Sequence, residues 1–552
     1  MVIRYIRLIM LATIALAPGC KKEEPAKTVS FTPSGRPMLI TQLSQTIARV
    51  HWLGQEQLAP DTNAAPWIDL GNLPESVKLH TQTLDKLSLA PWRLLHVAAD
   101  TNAAARLRPL LDDLLHKECF LEARETISQS GELALAIRLD DARAALWQTN
   151  LAAVLESLTG IRPASPPGQR QAWSLKKHHQ PNLLELVRTN GWTIVGAAQD
   201  QNGLVDNMIT GILQNGVPFE AAASGNWLEA ELDLQRVARV FPFHWNLPAD
   251  WPAISLAITG NGQFVQTRGA LNFPRPLPLD LEPWNVPTNL IDGALSSFTA
   301  IRGFRPWLAP LPAWTNLQIG LPPSQLFAWS LQAQPMLTYF AAPMPDASNV
   351  VNQLSSLVLE KGTTWFDSHE ATGFQRSETF NGIRWTGLPY LWPFLQSTAT
   401  NGNEFVHAGL GPPTTADVPL PADLLPELLG RTNLVCYDWE ITGLRCEQWL
   451  YMGQYFRFVS KMPQLPFESA SLAWLKAIEP KLGNSLTEIT RTGSSQLSLV
   501  RQSGIGLTGI ELHLLADWLE SPRFPIGLNT LLAPPPDALE QPPAAATPPP
   551  AK

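Results

Sequence analysis

Residues Trp227-Leu228-Glu229-Ala230-Glu231-Leu232-Asp233-Leu234 alternate apolar and polar side chains. That period of two predicts a strand with one buried and one wet face, as found in antiparallel sheets. The same reading predicts strands at Leu133–Leu139, Trp192–Ala198, Ser255–Thr259, Phe264–Thr267, Phe405–Leu410, Leu434–Trp439, Tyr455–Val459 and Leu497–Arg501. Elsewhere the period lengthens to that of a helix. After Asp141, the residues Ala145, Leu146, Leu151, Val154, Leu155 and Leu158 share a face, with Asp141 as the expected cap and Gly160 as the stop. After Asp346, the residues Val350, Val351, Leu354, Leu357 and Val358 do the same, stopping at Gly362. Ala103 to Lys117 forms a third helical pattern. Runs of strands following short helical segments predict an α+β fold with mainly antiparallel sheet and packed helices.

The punctuation between these elements recurs in order, about 213 to 217 positions apart. Pro66-Trp67 recurs as Pro283-Trp284, and Pro91-Trp92 as Pro306-Trp307. Gly191-Trp192-Thr193-Ile194-Val195-Gly196 recurs in shape as Asn403-Glu404-Phe405-Val406-His407-Ala408-Gly409. The two predicted helices after Asp141 and Asp346 fall between these markers, and late in each repeat, at a wider spacing, strands flank Thr259-Gly260 and Thr492-Gly493. Two diverged tandem repeats are therefore expected, over 66–282 and 283–530. A domain-sized period of this kind is far longer than that of a solenoid.

The ends read differently. Arg4 and Arg7 precede an apolar run from Leu8 to Ala17, and Ala17-Pro18-Gly19-Cys20 closes it. A basic start, a short apolar core and a small-residue cleavage site make a signal peptide over 1–19, too short for a membrane span. These residues resemble the export signal of bacterial lipoproteins. The resemblance covers this segment alone and implies cleavage before Cys20 and acylation of its thiol with two or three chains, enough for firm anchoring. It further implies a bacterial envelope address, and Lys21 after Cys20 implies the outer membrane, facing the periplasm, over the inner one. Residues 20–36 then form a polar tether. Residues 533–552, rich in Pro and Ala, lack the apolar side chains that would offset ordering and should be disordered.

Composition narrows the body. Hydrophobic residues are 45% and charged residues 16% of 552, which describes a folded chain. The formal charge is −8, and no basic block occurs, so nucleic acid is not an expected partner. The 20 Trp would serve as sugar or lipid platforms, or fill cores and seams, and the apolar runs around most of them favour filling. Of the four Cys, Cys436 and Cys446 flank Ile441-Thr442-Gly443 in what reads as a hairpin. They would pair as a disulfide in an exported protein or remain two buried thiols. Cys119 reads as a small buried hydrophobe.

Candidate chemistry is thin. Ser174-Leu175-Lys176-Lys177 fits S-x-x-K, a pattern with two fixed positions that chance supplies in a chain this long. His178-His179 are adjacent and would point to opposite faces of a strand. His369-Glu370 needs a third group, and Asp200-Gln201-Asn202-Gly203 with Asp206 lacks the closing Glu of a calcium loop. No catalytic residue, metal or cofactor is therefore assigned. The expectation is a non-enzymatic binding or assembly module of the envelope, engaging an envelope protein, lipid or glycan. Its binding seam is expected near Pro283 to Pro312, lined by Trp284 and Trp307. The alternative is an envelope hydrolase with catalytic residues dispersed in sequence.

Overall fold

The computed structural model describes residues 46–525, apart from 127–129, 166–170, 177–182, 200–201, 220–224, 241–249, 316–319, 334–335, 367–373, 377–380, 386–389, 401, 412–423, 460–468 and 522–523. The signal, Cys20, the tether and the tail lie outside the described residues.

The strands are β1 (Thr46–Trp52), β2 (Cys119–Glu125), β3 (Gly131–Arg138), β4 (Gln171–Lys176), β5 (Leu183–Thr189), β6 (Trp192–Ala198), β7 (Leu228–Leu232), β8 (Ala253–Gly260) and β9 (Val265–Asn272). They continue as β10 (Leu295–Arg302), β11 (Gln325–Leu331), β12 (Thr338–Pro343), β13 (Phe374–Arg376), β14 (Gly382–Trp385), β15 (Phe394–Thr400), β16 (Asn403–Gly409), β17 (Leu434–Glu440), β18 (Ser485–Arg491) and β19 (Gln496–Ser503). The helices are α1 (Gln55–Leu58), α2 (Ala65–Gly71), α3 (Pro74–Ser88), α4 (Ala90–Leu94), α5 (Ala103–His116), α6 (Asp141–Thr159), α7 (Gly203–Asn215) and α8 (Leu234–Val240). After them come α9 (Arg305–Leu308), α10 (Pro312–Thr315), α11 (Ala347–Phe366), α12 (Leu424–Leu429), α13 (Thr442–Val459), α14 (Ala470–Ile478) and α15 (Gly509–Glu520).

The described strands join in one antiparallel sheet. From one edge the pairing runs β4-β5-β6-β3-β2-β1-β7-β8-β9. From the other it runs β13-β14-β15-β16-β12-β11-β10-β17-β18-β19. Strands β9 and β19 join the two groups in register from Val265↔Ser503 to Asn272↔Gln496. Within each group the order of pairing corresponds strand for strand, the edge strand β13 apart. A helix follows the third strand in each: α6 after β3 and α11 after β12.

One face of the sheet carries most of the helices. Leu110 of α5 and Trp147 of α6 pack on Ile137 of β3, and Val350 of α11 packs against Val406 of β16. Helices α3, α13, α14 and α15 share a core of Leu79, Cys446, Trp474, Leu475 and Leu512 that ties the first group to the second. Lys86 of α3 donates to the Leu519 carbonyl at 2.6 Å across that junction. Beneath these helices lies a buried ionic layer. Arg501 donates to Glu511 at 2.7 and 3.0 Å and to Thr487 at 2.8 Å, and Glu440 accepts from the Gly509 amide at 2.7 Å. Burial pushes the carboxyl of Glu440 up to about 7 and that of Asp438 well above the usual range, so this layer carries less charge than its formula suggests.

Several expectations are corrected here. The Cys436–Cys446 bridge does not form. Strand β17 is already paired on both edges, by β10 and β18, so the chain after Thr442 has no free edge and folds back as α13. Cys436 stays in the sheet among Leu277, Ile489 and Leu497, while Cys446 joins the helical core; both are free, buried thiols. The expected strand at Tyr455–Val459 is the last turn of α13. Helix α6 is capped by Asp140, whose side chain accepts from the Arg143 amide, and the exposed Asp141 pairs with Arg188 instead. Helix α11 continues past Gly362 to Phe366, and the Ala347 amide is met by Glu404 at 2.8 Å. The first group of strands begins at β1, upstream of Pro66. Pro66-Trp67 follows that first strand within α2, whereas Pro283-Trp284 precedes β10, so these two pairs do not occupy equivalent places.

Candidate functional site

The second face of the sheet is covered differently in its two groups. In the first, α7 lies on it: Leu204, Val205, Met208 and Ile212 pack on Phe120, Ala134, Ala136, Val187, Trp192 and Ile194. Gly196 permits that approach, since a Cβ there would lie 2.4 Å from Val205 Cγ2. In the second group the same face is aromatic. Phe298, Phe327, Trp329, Tyr339, Phe394, Phe405 and Tyr437 project from six strands. Their cover is the short α12, through Leu424 and Leu428, together with the segment 283–294 that precedes β10.

Segment 283–294 is fastened at both ends. The Gln325 amide donates to the Pro283 carbonyl at 2.7 Å and its oxygen accepts from the Asn285 amide at 2.9 Å. Trp284 is 8% exposed, packs against Phe327 with centroids 6.0 Å apart, and carries the Arg302 guanidinium 4.4 Å over its ring. Arg302 in turn donates to the carbonyls of Glu282, Leu434, Arg431 and Thr432 at 2.7 to 2.9 Å. At the other end Gly293 turns with φ of +90°, and its amide donates to Asp292 Oδ1 at 2.8 Å. The Ala294 carbonyl accepts from the Gln332 amide at 2.8 Å.

Between this fastened segment and the sheet lies a cavity of about 110 Å³, lined by Asn289, Leu290, Asp292, Trp329, Tyr339, Gln396 and His407. That is several times the space one water needs, about 15 Å³ by the same kind of measure. Trp329 and Tyr339 are directly opposite on β11 and β12, with centroids 5.8 Å apart and planes at 19°. The His407 ring also stacks on Trp329, at 5.8 Å and 19°, and meets Phe394 edge-on at 5.0 Å. Gly409 makes room for this assembly, because a Cβ there would lie 2.5 Å from Tyr339 and 2.6 Å from Phe394.

His407 is 4% exposed. Gln396 is opposite it on β15, and the Gln396 Nε2 amide lies 3.1 Å from His407 Nδ1. In that orientation the amide donates, Nδ1 accepts, and the ring proton resides on Nε2. Nε2 has no protein partner. Burial pushes the imidazole down to about 4, so it is neutral at pH 7. A buried donor left unmet costs about 1–3 kcal/mol.

The residues singled out in the sequence fall elsewhere. Trp284 holds the covering segment in place and does not line the cavity, and Trp307 is on α9, 42% exposed. The expected seam is therefore not a shared groove of these two rings. Ser174 is on β4, where its backbone pairs with Ala164, and the Lys177 of its motif lies outside the described residues. His178, His179, His369, Glu370, Asp200 and Gln201 lie outside them too. Among the described residues no three His, Cys, Asp or Glu converge in a way that would hold a metal ion, and no helix is long and apolar enough to cross a membrane. No family model, curated protein or solved structure matches this chain.

The cavity residues other than Trp284's neighbours were not apparent in the sequence. Their one signal is His407 itself: alternation through Phe405-Val406-His407-Ala408-Gly409 sets an imidazole on the apolar face of a strand, next to Phe405 and the permissive Gly409.

Proposed function

We propose that this chain is a lipid-anchored protein of the bacterial envelope whose body consists of two diverged copies of one α+β unit and binds a ligand without transforming it. The address rests on the residues from Arg4 to Cys20, and an outer-membrane, periplasm-facing location on Lys21. The repeat reading is supported by the strand orders, β4-β5-β6-β3-β2-β1-β7-β8-β9 and β13-β14-β15-β16-β12-β11-β10-β17-β18-β19, in which only the edge strand β13 lacks a counterpart.

The observation that carries the binding reading is the cavity itself, walled by Trp329, Tyr339, Gln396 and His407 with Asp292 at the same site. The rival, a dispersed-residue hydrolase, draws on the same wall, since Asp292 and His407 are a carboxylate and an imidazole at one site. The protonation of the imidazole argues against it. An imidazole pushed down to about 4 carries no second proton to give at pH 7, and its Nδ1 already accepts from the Gln396 amide. What remains is an acidic side chain beside an aromatic wall, which is binding equipment.

Two measurements test this. Fractionation of cells carrying the wild type and Cys20→Ala should find the wild type with membranes and the variant largely released or unprocessed. Unchanged sedimentation of the variant would remove the anchor. Screening the purified chain against ester, peptide and glycoside substrates should yield no turnover, and robust turnover abolished by His407→Phe or Asp292→Ala would establish the hydrolase.

A further inference from the structure

We infer that the loop after α4, residues 94–99, is a membrane-contact finger that inserts its apolar side chains into the surface of a lipid bilayer. This role goes beyond the binding reading above and rests on the proposed envelope address only for the presence of a bilayer. Residues 93–100 are exposed without a break and read Arg-Leu-Leu-His-Val-Ala-Ala-Asp. Leu94 is 47%, Leu95 60% and Val97 38% exposed. Such a run departs from the polar patterning of a water-facing loop and marks an interaction surface. Its backbone is nonetheless fastened. Trp92 is buried with Ala103 and Val154, and its Nε1 donates to Ser157 Oγ at 3.1 Å. The amides of His96 and Val97 donate to the carbonyls of Arg93 and Trp92. This is a Schellman cap with His96, at φ of +53°, in the place where glycine is usual. An ordered turn therefore holds Leu94, Leu95 and Val97 outside the core.

Three observations commit the finger to lipid. The first is where the chain enters the body. Asp141 at the start of α6 pairs with Arg188, and farther along the Gln148 carbonyl accepts from Trp173, opposite Leu186. Helix α6 thus runs from the Trp192 end of the sheet toward the Gly131 end, and its Ser157 sets Trp92 toward that second end. Gly131 is opposite Glu125, and Thr46, where β1 begins, is opposite Arg124. The finger and the first strand's entry therefore share one end of the first group. Residues 21–45 lead there from Cys20 and span at most about 85 Å, which keeps an anchoring bilayer at high effective concentration. The second observation is shape. An unbroken exposed run is a projection, and lipid closes around a projection without needing a matching hollow. The third is charge. Asp100 pairs with Arg106 at 2.7 Å, whereas Arg93 donates to the Lys86 carbonyl and keeps its charge beside Leu94. An apolar tip with a cationic base suits a surface of anionic headgroups.

The test couples the mature chain, residues 20–552, through Cys20 to a maleimide phospholipid in vesicles of phosphatidylethanolamine and phosphatidylglycerol. A second lipid carries a photoreactive group on its acyl chain, and cross-linked residues are mapped by mass spectrometry. Cys20→Ser sets the background for coupling at other thiols. The chemical anchor makes the result independent of acylation in the cell, which the fractionation of Cys20→Ala decides, so the two readings fail separately. Cross-links should concentrate in residues 94–99. Leu94→Ser with Leu95→Ser should reduce them about tenfold or more. Leu95→Asp, a single change at the most exposed of the three, should act in the same direction and guards against misfolding of the double variant. Leu321→Ser, at another exposed leucine, should leave the cross-links unchanged. The finger is ruled out by absence of cross-links above background, by cross-links that fall elsewhere on the body, or by wild-type labelling in both finger variants. It is equally ruled out if a second copy occupies the loop, seen as a dimer in solution that Leu95→Asp splits.

Discussion

The two ends of one sheet present the same face to two different covers. In the first group Ile194 pairs with Ala136, and Gly196 two residues on makes room for Val205 of α7. In the second group His407 pairs with Ala341, and Gly409 two residues on makes room for the rings of Tyr339 and Phe394. Ile194 and His407 thus each lie two residues before a close-packed glycine, on the same face of the sheet. Where a 13-residue amphipathic helix covers the face, Ile194 is sealed among apolar side chains. Where a six-residue helix and an irregular, turn-containing segment share the task, the cover leaves a gap, and His407 and Gln396 line it. The difference teaches that the regularity of the cover decides whether this face is sealed. A helix lays down an apolar stripe one turn after another, whereas an irregular segment anchored at Trp284 and Gly293 bridges between its anchors.

The strongest way to break this comparison is to exchange its two central residues. Ile194→His should cost about 4 kcal/mol or more, since it buries an imidazole with no counterpart of Gln396 and forfeits apolar packing. His407→Ile should change stability by no more than about 1 kcal/mol, because it removes an unmet donor along with one hydrogen bond. Denaturant midpoints measure both. Equal costs would mean that the two faces are filled alike.

Truncation of the covers sharpens the same point. Met208→Ala in α7 should cost about 3 kcal/mol, the range for a fully buried Met. Leu290→Ala, half-buried at the rim of an existing cavity, should cost about 1 kcal/mol or less. A large loss at Leu290 would place it in a closed core.

The pH dependence separates the halves again, with a comparable magnitude. His407 titrates near 6.5 when unfolded and at about 4 when folded. Above pH 6.5 both states are neutral and the group has no effect. Between the two values only the unfolded chain takes up the proton, so stability falls as pH drops from about 6.5 to about 4, by up to about 3 kcal/mol, and then levels. His407→Phe should remove that part of the acid-side loss, as read from urea midpoints at pH 7, 5.5 and 4. The smallest effect is expected outside both covers. Trp307→Ala, at an exposed ring on α9, should stay within about 0.5 kcal/mol.

The sequence pattern made some of this legible. Alternation marked β3, β6, β7 and β16, and the helical period marked α5, α6 and α11 within a few residues. The helices turn one apolar stripe to the sheet, and in the strands β-branched and aromatic residues bounded by turn residues give the signal, although β3, β6 and β16 pack side chains on both faces. The segment around Cys446 was misread because its strand-like residues Leu444, Cys446 and Trp449 follow directly on β17, and nothing local records that both edges of β17 are taken. Trp284 and Trp307 share the dipeptide Pro-Trp yet differ in burial, since the clamp that buries Trp284 is Arg302, eighteen positions on. The cavity itself was not legible. Its walls come from β11, β12, β15, β16 and the segment before β10, and Gln396 fixes the tautomer of His407 only through strand register.

The most direct test of the central claim is the imidazole of His407, read by 15N NMR on histidine-labelled protein, with His407→Phe to identify its resonances. The account predicts a neutral ring with the proton on Nε2 and Nδ1 unprotonated, resisting protonation down to about pH 4. A ring that titrates near 6.5, or one protonated on Nδ1 with a bare Nε2, would contradict the account.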